Sequence, residues 1–312
     1  MTEQQQQRRW LLTASYTSVA VAVTLIVIKT GAWLYTGSAS LLGSLLDSLM
    51  DSMASIVSML AVRYSLQPAD LEHRFGHGKA ESLAALAQSL FILVSGAVLL
   101  YHCVERLMNP AVHSVAHATI GIVVMVIAIA MTMGLVMLQS HVIKLTSSAA
   151  ISADQLHYKG DLFMNLSVIV ALGLVQFGYQ QADVLLGIGI SVYIAIGAVK
   201  IAREALSVLM DEQLGQEVDR KVYDLAMAHK CVLGVHDLRT RRSGMTVLIQ
   251  LHIELPDHLS LLEAHRHSDE VEASIRKAFP GADVIIHPDP ACVVPDEQNH
   301  TRQIFEVPEQ PG

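Results

Sequence analysis

Residues 39–65 read ASLLGSLLDSLMDSMASIVSMLAVRYS, and this stretch decides the fold. It is long and apolar enough to cross a bilayer, yet it carries Asp47 and Asp51 one helical turn apart, with no other charge before Arg63. A carboxylate at the centre of a membrane costs roughly 2.5 to 3.5 kcal/mol on insertion scales, so a pair of them is retained for a purpose. Ser44, Asp47, Asp51, Ser55 and Ser58 step by three or four and form one polar stripe that must face other helices. Residues 151–177 repeat the device with Asp154, His157, Asp161 and Asn165. A lone intramembrane Asp can be a structural hydrogen-bonding residue of the bundle, but acid pairs on two helices repel one another without a cation between them. Carboxylate and imidazole donors without thiolate suit Zn²⁺, Fe²⁺, Mn²⁺, Co²⁺ or Cd²⁺ in a four-coordinate site.

Outward from that stretch, the 312 residues are 52% hydrophobic and 16% charged, with a mean hydropathy of +0.42, which is the composition of a polytopic membrane protein. Apolar segments of spanning length lie near 11–35, 39–65, 83–106, 115–140, 151–177 and 183–206, so six transmembrane helices are expected within a domain covering 10–207. The first segment is too long for a signal-peptide core and reads as a retained helix behind a short tail, residues 1–9. Arg8, Arg9, Arg63, Arg74, Lys79, Lys144, Lys200 and Arg203 fall at one set of helix ends, and Arg106 stands at the other, which predicts cytoplasmic termini. The uncharged turns at 36–40 and 177–181 are short enough to require antiparallel neighbours. A net charge of -8 gives no basis for nucleic-acid binding.

From about residue 208 the composition becomes that of a small soluble domain reaching to about 290, followed by a polar, proline-bearing tail, 291–312, expected to be disordered. The pattern predicts a helix over 215–230, strands over 235–241 and 246–255, a capping box from Ser260 and Glu263, and a strand over 283–287 ending at two prolines. That order, αββαβ, fits a ferredoxin-like α+β layer. His236, His252, His265, His287 and Asp289 gather near strand ends and read as ligands taken together, although each alone reads as ordinary surface. His229, His258 and His267 are assigned to the surface. Asp70, His73 and His77 form a third candidate set in the loop DLEHRFGHGKAE, for which a merely solvated loop is the competing reading. The three cysteines, Cys103, Cys231 and Cys292, lack CxxC spacing, which fits a reducing cytosol and argues against copper or thiolate-zinc chemistry. Met125, Met131, Met133 and Met137 read as packing or lipid-facing residues, and Lys29 as a side chain that snorkels to the outer interface.

The succession DSLMD, ADLEHRFGHGKAE, ADQLHYKGD, LMDE, GVHDLRTR and IIHPDP resembles the cation diffusion facilitator family, and within it the bacterial ferrous-iron/zinc efflux branch, over residues 10–290. The resemblance implies a homodimeric metal/proton antiporter of the cell inner membrane, with six transmembrane helices and a cytoplasmic metallochaperone-like domain. It implies a transport site of Asp47, Asp51, His157 and Asp161 and a loop site of Asp70, His73 and His77. It also implies a cytoplasmic binuclear zinc site of His236, His252, His287 and Asp289 bridged by His265, and a charge interlock between subunits that pairs Lys79 with Asp211. Zn²⁺ would be both bound and transported, with other divalent metals possible, and the partners would be protons, lipid and a second copy of the chain. The glutamine run at 4–7 has no evident role. Two rival classes follow from the residues themselves. A metal-gated channel would need weak sites along a continuous pore, and a membrane metallohydrolase would need an open coordination position and a general base, for which no HExxH exists.

Overall fold

The computed structural model describes residues 3–37, 39–108, 118–176 and 181–293, and the chain divides into two compact units, Met1–Leu209 and Met210–Gly312. The first unit holds six long helices: α1 (Glu3–Thr36), α2 (Ala39–Ser65), α3 (Lys79–Met108), α4 (Ala118–Thr146), α5 (Ala149–Gln176) and α6 (Ala182–Leu209). Five are long and apolar enough to cross a membrane. The exception, α5, carries Asp154, His157, Lys159 and Asp161 close together, but its 28 residues extend about 42 Å against a hydrocarbon core of roughly 30 Å, and it packs on α3, α4 and α6.

The bundle turns its polar and small side chains inward and its large apolar ones outward. Val27, Leu46, Met53, Val94, Ile196 and Met137 are exposed, as residues facing lipid must be, while Ser18, Ser55, Gln88, Gln139 and Asp154 are buried. The pair α3 and α6 packs along Ala84, Ala85, Ser89 and Gly96 on one side and Gly187, Ser191, Ala198 and Ala205 on the other. Small residues let backbones approach closely where lipid offers no hydrophobic drive to associate. A Cβ at Gly187 would stand 2.6 Å from Cys103 Sγ, so any larger residue there would have to displace that thiol. The expected tail at 1–9 is instead taken up, from Glu3 onward, by α1, and the glutamine run has a use: Gln7 Nε2 donates to the Leu145 carbonyl at the end of α4, 3.0 Å away.

The second unit contains α7 (Gln216–Met227), β1 (Gly234–Ser243), β2 (Thr246–Leu255), α8 (Leu261–Ala278) and β3 (Asp283–Pro290), in the expected αββαβ order. The sheet order is β1-β2-β3, with β1 and β2 antiparallel and β3 parallel to β2, the direction that the α8 crossover allows. Val222, Val235, Ile249, Leu251, Ile253, Val271 and Ile275 form its core. α8 opens with a complete capping box: the Ser260 backbone N–H and hydroxyl donate to Glu263 Oε2 at 2.9 and 2.7 Å, and the Glu263 N–H donates to Ser260 Oγ at 3.3 Å. β3 runs beyond the predicted stop at its prolines, pairing through Pro288 and Pro290. It is an edge strand, so a missing N–H can face away from the ladder. The predicted outer turn at 177–181 falls almost wholly outside the described residues, as does the tail after Val293.

Candidate metal centres

The spacing of Asp47 and Asp51 on α2 and of His157 and Asp161 on α5 brings both pairs to one cavity inside the bundle. His157 Nε2 lies 2.8 Å from Asp51 Oδ1 and 3.8 Å from Asp161 Oδ2, and ligand atoms of these three residues all lie within 4.8 Å of one another. Asp47 lines the same cavity from the turn above, with Asp51 and Asp161, but stands outside that tight group. Phe91, Ile92 and Ile194 from α3 and α6 wall this cavity, and an adjoining pocket that shares Asp47, Asp51 and Asp161 is lined by Ser44 and Asn165 of the two stripes and by Ser48. Such a chamber offers three carboxylates and an imidazole to a cation inside an apolar bundle.

Lys29 departs from its sequence reading, and Asp154 takes a role that the sequence did not specify. Lys29 does not snorkel outward. Its ammonium donates to the Ser44 carbonyl at 3.1 Å and to Ser48 Oγ at 2.5 Å, and the side chain lines the cavity with Asp47, Asp51 and Asp161. A cation tethered there partly offsets the negative charge of the chamber. Asp154 belongs to the α5 stripe by spacing but not to the cavity. It is 1% exposed, and its carboxylate accepts from Ser18 at 2.6 Å, Gln139 at 2.7 Å, Ser55 at 3.0 Å and Gln88 at 3.4 Å. Those donors come from α1, α4, α2 and α3, so Asp154 is a structural hub. Ser55 also shares a hydrogen bond with the Tyr158 hydroxyl at 2.9 Å.

The loop residues Asp70, His73 and His77 do converge, with ligand atoms within 4.8 Å. Asp70 Oδ1 accepts the backbone N–H groups of His73 at 2.6 Å and Glu72 at 2.9 Å, an Asx-type turn that sets the loop's shape. The His73 N–H above all holds this carboxyl below its ordinary value. His77 Nε2 lies 3.3 Å from Asp70 Oδ2, its ring packs edge-on to Tyr64, and its buried Nδ1 has no hydrogen-bond partner among the described residues.

In the second unit the sheet register assembles the ligands. A bulge between His236 and Arg239, with Asp237 at a φ of 47°, places His236 opposite His252, and the parallel ladder places His252 beside His287. Three histidines therefore form one row across three strands, with ring centroids 5.0 and 4.7 Å apart. Asp289 lies against all three: 2.8 Å from His252 Nδ1, and 3.2 Å from both His236 Nε2 and His287 Nε2. Sequence reasoning missed Glu254, which is buried with Oε1 3.4 Å from His236 Nδ1. Gly234 makes room for it, since a Cβ there would meet the Glu254 carboxylate at 2.7 Å. The buried His236 Nδ1 has no hydrogen-bond partner among the described residues. An orphaned imidazole nitrogen in a row of histidines and carboxylates fits a bound metal. His265 does not join the row within the chain. It is 69% exposed on α8 and pairs with Asp269 at 3.6 Å, because its helix position points it to solvent. Of the expected interlock pair, Lys79 donates to the Leu209 carbonyl at 3.4 Å and Asp211 accepts from Arg241 at 3.0 Å.

A helical membrane unit with convergent carboxylate and histidine clusters, followed by a histidine-bearing α+β unit, defines a metal-handling membrane transporter. The chain belongs to the cation efflux family: residues 15–210 match the cation efflux transmembrane domain and residues 214–291 the cation efflux protein cytoplasmic domain. It is 48% identical over 298 residues to the cation-efflux pump FieF of Shewanella oneidensis, covering 96% of this chain and 100% of that one. Proteins of the same description from Klebsiella pneumoniae and Yersinia pestis are each 46% identical, covering 91% and 94% of this chain and 94% and 97% of their own. A solved zinc-form structure described as the zinc transporter CzrB is 32% identical and covers 27% of this chain and 98% of its own, at a TM-score of 0.25, an overlap too partial to carry a structural argument. The chain is thus a metal cation efflux transporter of a multi-pass membrane family.

Proposed function

We propose that the chain exports divalent transition-metal ions, Zn²⁺ foremost, from the cytoplasm across the inner membrane in exchange for protons, working as a homodimer with both termini in the cytoplasm. The observation that carries this reading is the convergence of Asp51, His157 and Asp161 on a cavity within the apolar bundle, with Asp47 beside them. Four oxygen and nitrogen donors suit Zn²⁺, Cd²⁺, Fe²⁺, Co²⁺ or Mn²⁺, and no thiol lies among the cavity's lining residues. The same donors bind protons, so metal and proton compete for one site. A face of higher proton activity then favours release, and alternating exposure of the site converts a proton gradient into metal efflux. The close ligand set speaks against a conducting pore, which needs weak binding for fast passage.

The histidine row of the second unit serves a different role in this reading. His236, His252, His287 and Asp289 hold zinc as a structural or regulatory ion, with His265 supplying a bridge in the assembled dimer and Lys79 and Asp211 pairing between subunits. Zinc there would stiffen the cytoplasmic unit by joining three strands through their side chains. Asp70, His73 and His77 take a further ion in the loop. The test is metal uptake into proteoliposomes containing the full chain, each metal in turn, with and without an imposed pH gradient. Zn²⁺ movement that depends on the gradient and moves protons the opposite way is expected; Zn²⁺ flux indifferent to the gradient would overturn proton exchange.

A further inference from the structure

The turn that follows α7 and the middle of α8 bring together side chains that belong to none of the clusters above. His229 and Cys231 lie in the turn, and His267 and Glu270 lie one helical turn apart on α8. Ligand atoms of His229, Cys231 and His267 all lie within 4.8 Å of one another, and the two rings stand 5.2 Å apart at 62°. Glu270 Oε2 is 2.8 Å from His229 Nε2 and 4.0 Å from His267 Nδ1. The Cys231 backbone N–H donates to His229 Nδ1 at 3.3 Å, which in the free protein places the ring proton on Nε2, toward Glu270.

A second observation is independent of this convergence. His267 Nδ1 is buried and has no hydrogen-bond partner among the described residues. Leaving a buried ring nitrogen unpaired forfeits its hydration with nothing in return, so an ordinary surface histidine is a poor account of it. Cys231 is a free, half-buried thiol, and both histidines are mostly buried, with side chains 17% and 24% exposed. A metal ion satisfies the orphaned nitrogen and uses the thiol at once.

We propose that His229, Cys231 and His267 form a zinc-class metal site, with Glu270 as its carboxylate partner. It shares no residue with the His236–Asp289 row. Two imidazoles, one thiolate and a neighbouring carboxylate match the donor types of four-coordinate zinc. The sulfur turns the preference toward Zn²⁺ and Cd²⁺ and away from Mn²⁺. Binding releases the Cys231 thiol proton to solvent and forms the sulfur–metal bond. The ion would fasten the α7–β1 turn to α8 across a long stretch of chain, tying the two helices on the sheet to each other.

The thiolate supplies a readout that the oxygen- and imidazole-lined sites lack. Metal-stripped full-length protein titrated with Co²⁺ should develop a near-ultraviolet sulfur-to-cobalt charge-transfer band that saturates at one ion per chain and is bleached by Zn²⁺. Cys231→Ser and His267→Gln should each abolish it. In unmutated protein, Zn²⁺ should slow alkylation of Cys231 at least tenfold, followed by peptide mass, while leaving the exposed Cys292 unaffected. That assay stands even if a variant fails to fold. A wild-type protein that binds Co²⁺ without the band, a band that persists in Cys231→Ser or His267→Gln, or alkylation of Cys231 indifferent to Zn²⁺ would overturn the site.

Discussion

The two units hold their histidines and carboxylates by different means. In the membrane unit, Asp51 sits on α2 and His157 and Asp161 on α5, so the cluster exists only while two helices keep their rotation and depth. In the second unit, His236, His252 and His287 occupy facing register positions of three hydrogen-bonded strands, and the backbone ladder fixes their spacing. A site between helices is changed by a small slide of either helix, whereas a site across a sheet changes only if the sheet is unmade. Cargo that must be taken up and given back suits the first, and a resident ion suits the second.

The largest effect expected from this contrast is complete loss of transport in Asp161→Ala, measured by Zn²⁺ flux into proteoliposomes. The double variant His236→Ala with His287→Ala should bind less zinc per chain yet retain measurable exchange. Equal loss in both, with each protein folded, would erase the distinction between the two units. Next in size is Lys29→Gln, which keeps a donor near Ser44 and Ser48 but removes the cation that lines the cavity. Short-range charge–charge terms at an effective dielectric near 20 reach a few kcal/mol, so Zn²⁺ affinity at the cavity should rise on the order of tenfold. Isothermal titration of the variant checks this, and unchanged affinity would place Lys29 in a purely packing role.

Smaller effects should separate the units by stability alone. Gly234→Ala forces a methyl group against Glu254 and should cost the cytoplasmic unit about 1 to 3 kcal/mol, seen as a lower Tm and weaker zinc binding at the row, with the membrane cavity's affinity unchanged. Ser260→Ala removes the α8 cap and should cost about 1 kcal/mol in thermal unfolding. The capping hydrogen bonds lower the Glu263 carboxyl below its ordinary value, foremost the one from the Ser260 hydroxyl. Their contribution is present above the unfolded-state value and is lost as pH falls through the lowered one. The Ser260→Ala penalty should therefore shrink in acid.

How far the sequence could be read follows the same division. That Asp47, Asp51, His157 and Asp161 face one cavity was legible because an i,i+4 step on an apolar helix admits one interpretation of face. The six helices and the αββαβ order were legible from apolar length and periodicity, whereas β3 runs past the prolines expected to end it. The role of Asp154 on its stripe was not legible, because its partners, Ser18, Ser55, Gln88 and Gln139, come from four other helices and no local pattern links them. Lys29 was misread because a long side chain near a helix end can turn either way, and the choice lies with Ser44 and Ser48 on a neighbour. Cys231 was dismissed for lacking a CxxC partner, when the side chains beside it are histidines, one of them 36 positions along the chain. The signal that could have found them is the pair of half-buried histidines flanking an unpaired thiol, which only tertiary structure supplies.

The Asp154 hub has a mechanical meaning. A single carboxylate that accepts from α1, α2 and α4 at 2.6 to 3.0 Å, and from α3 only at 3.4 Å, rivets α5 to three helices more firmly than to the fourth. Meanwhile α3 makes its most extensive packing with α6. Both α3 and α6 also pack on α5, and the cation cavity is walled by residues of α2, α3, α5 and α6. One buried carboxylate thus acts as a keystone: donors from four helices meet at it, and its removal would leave Ser18, Ser55, Gln88 and Gln139 without their common acceptor.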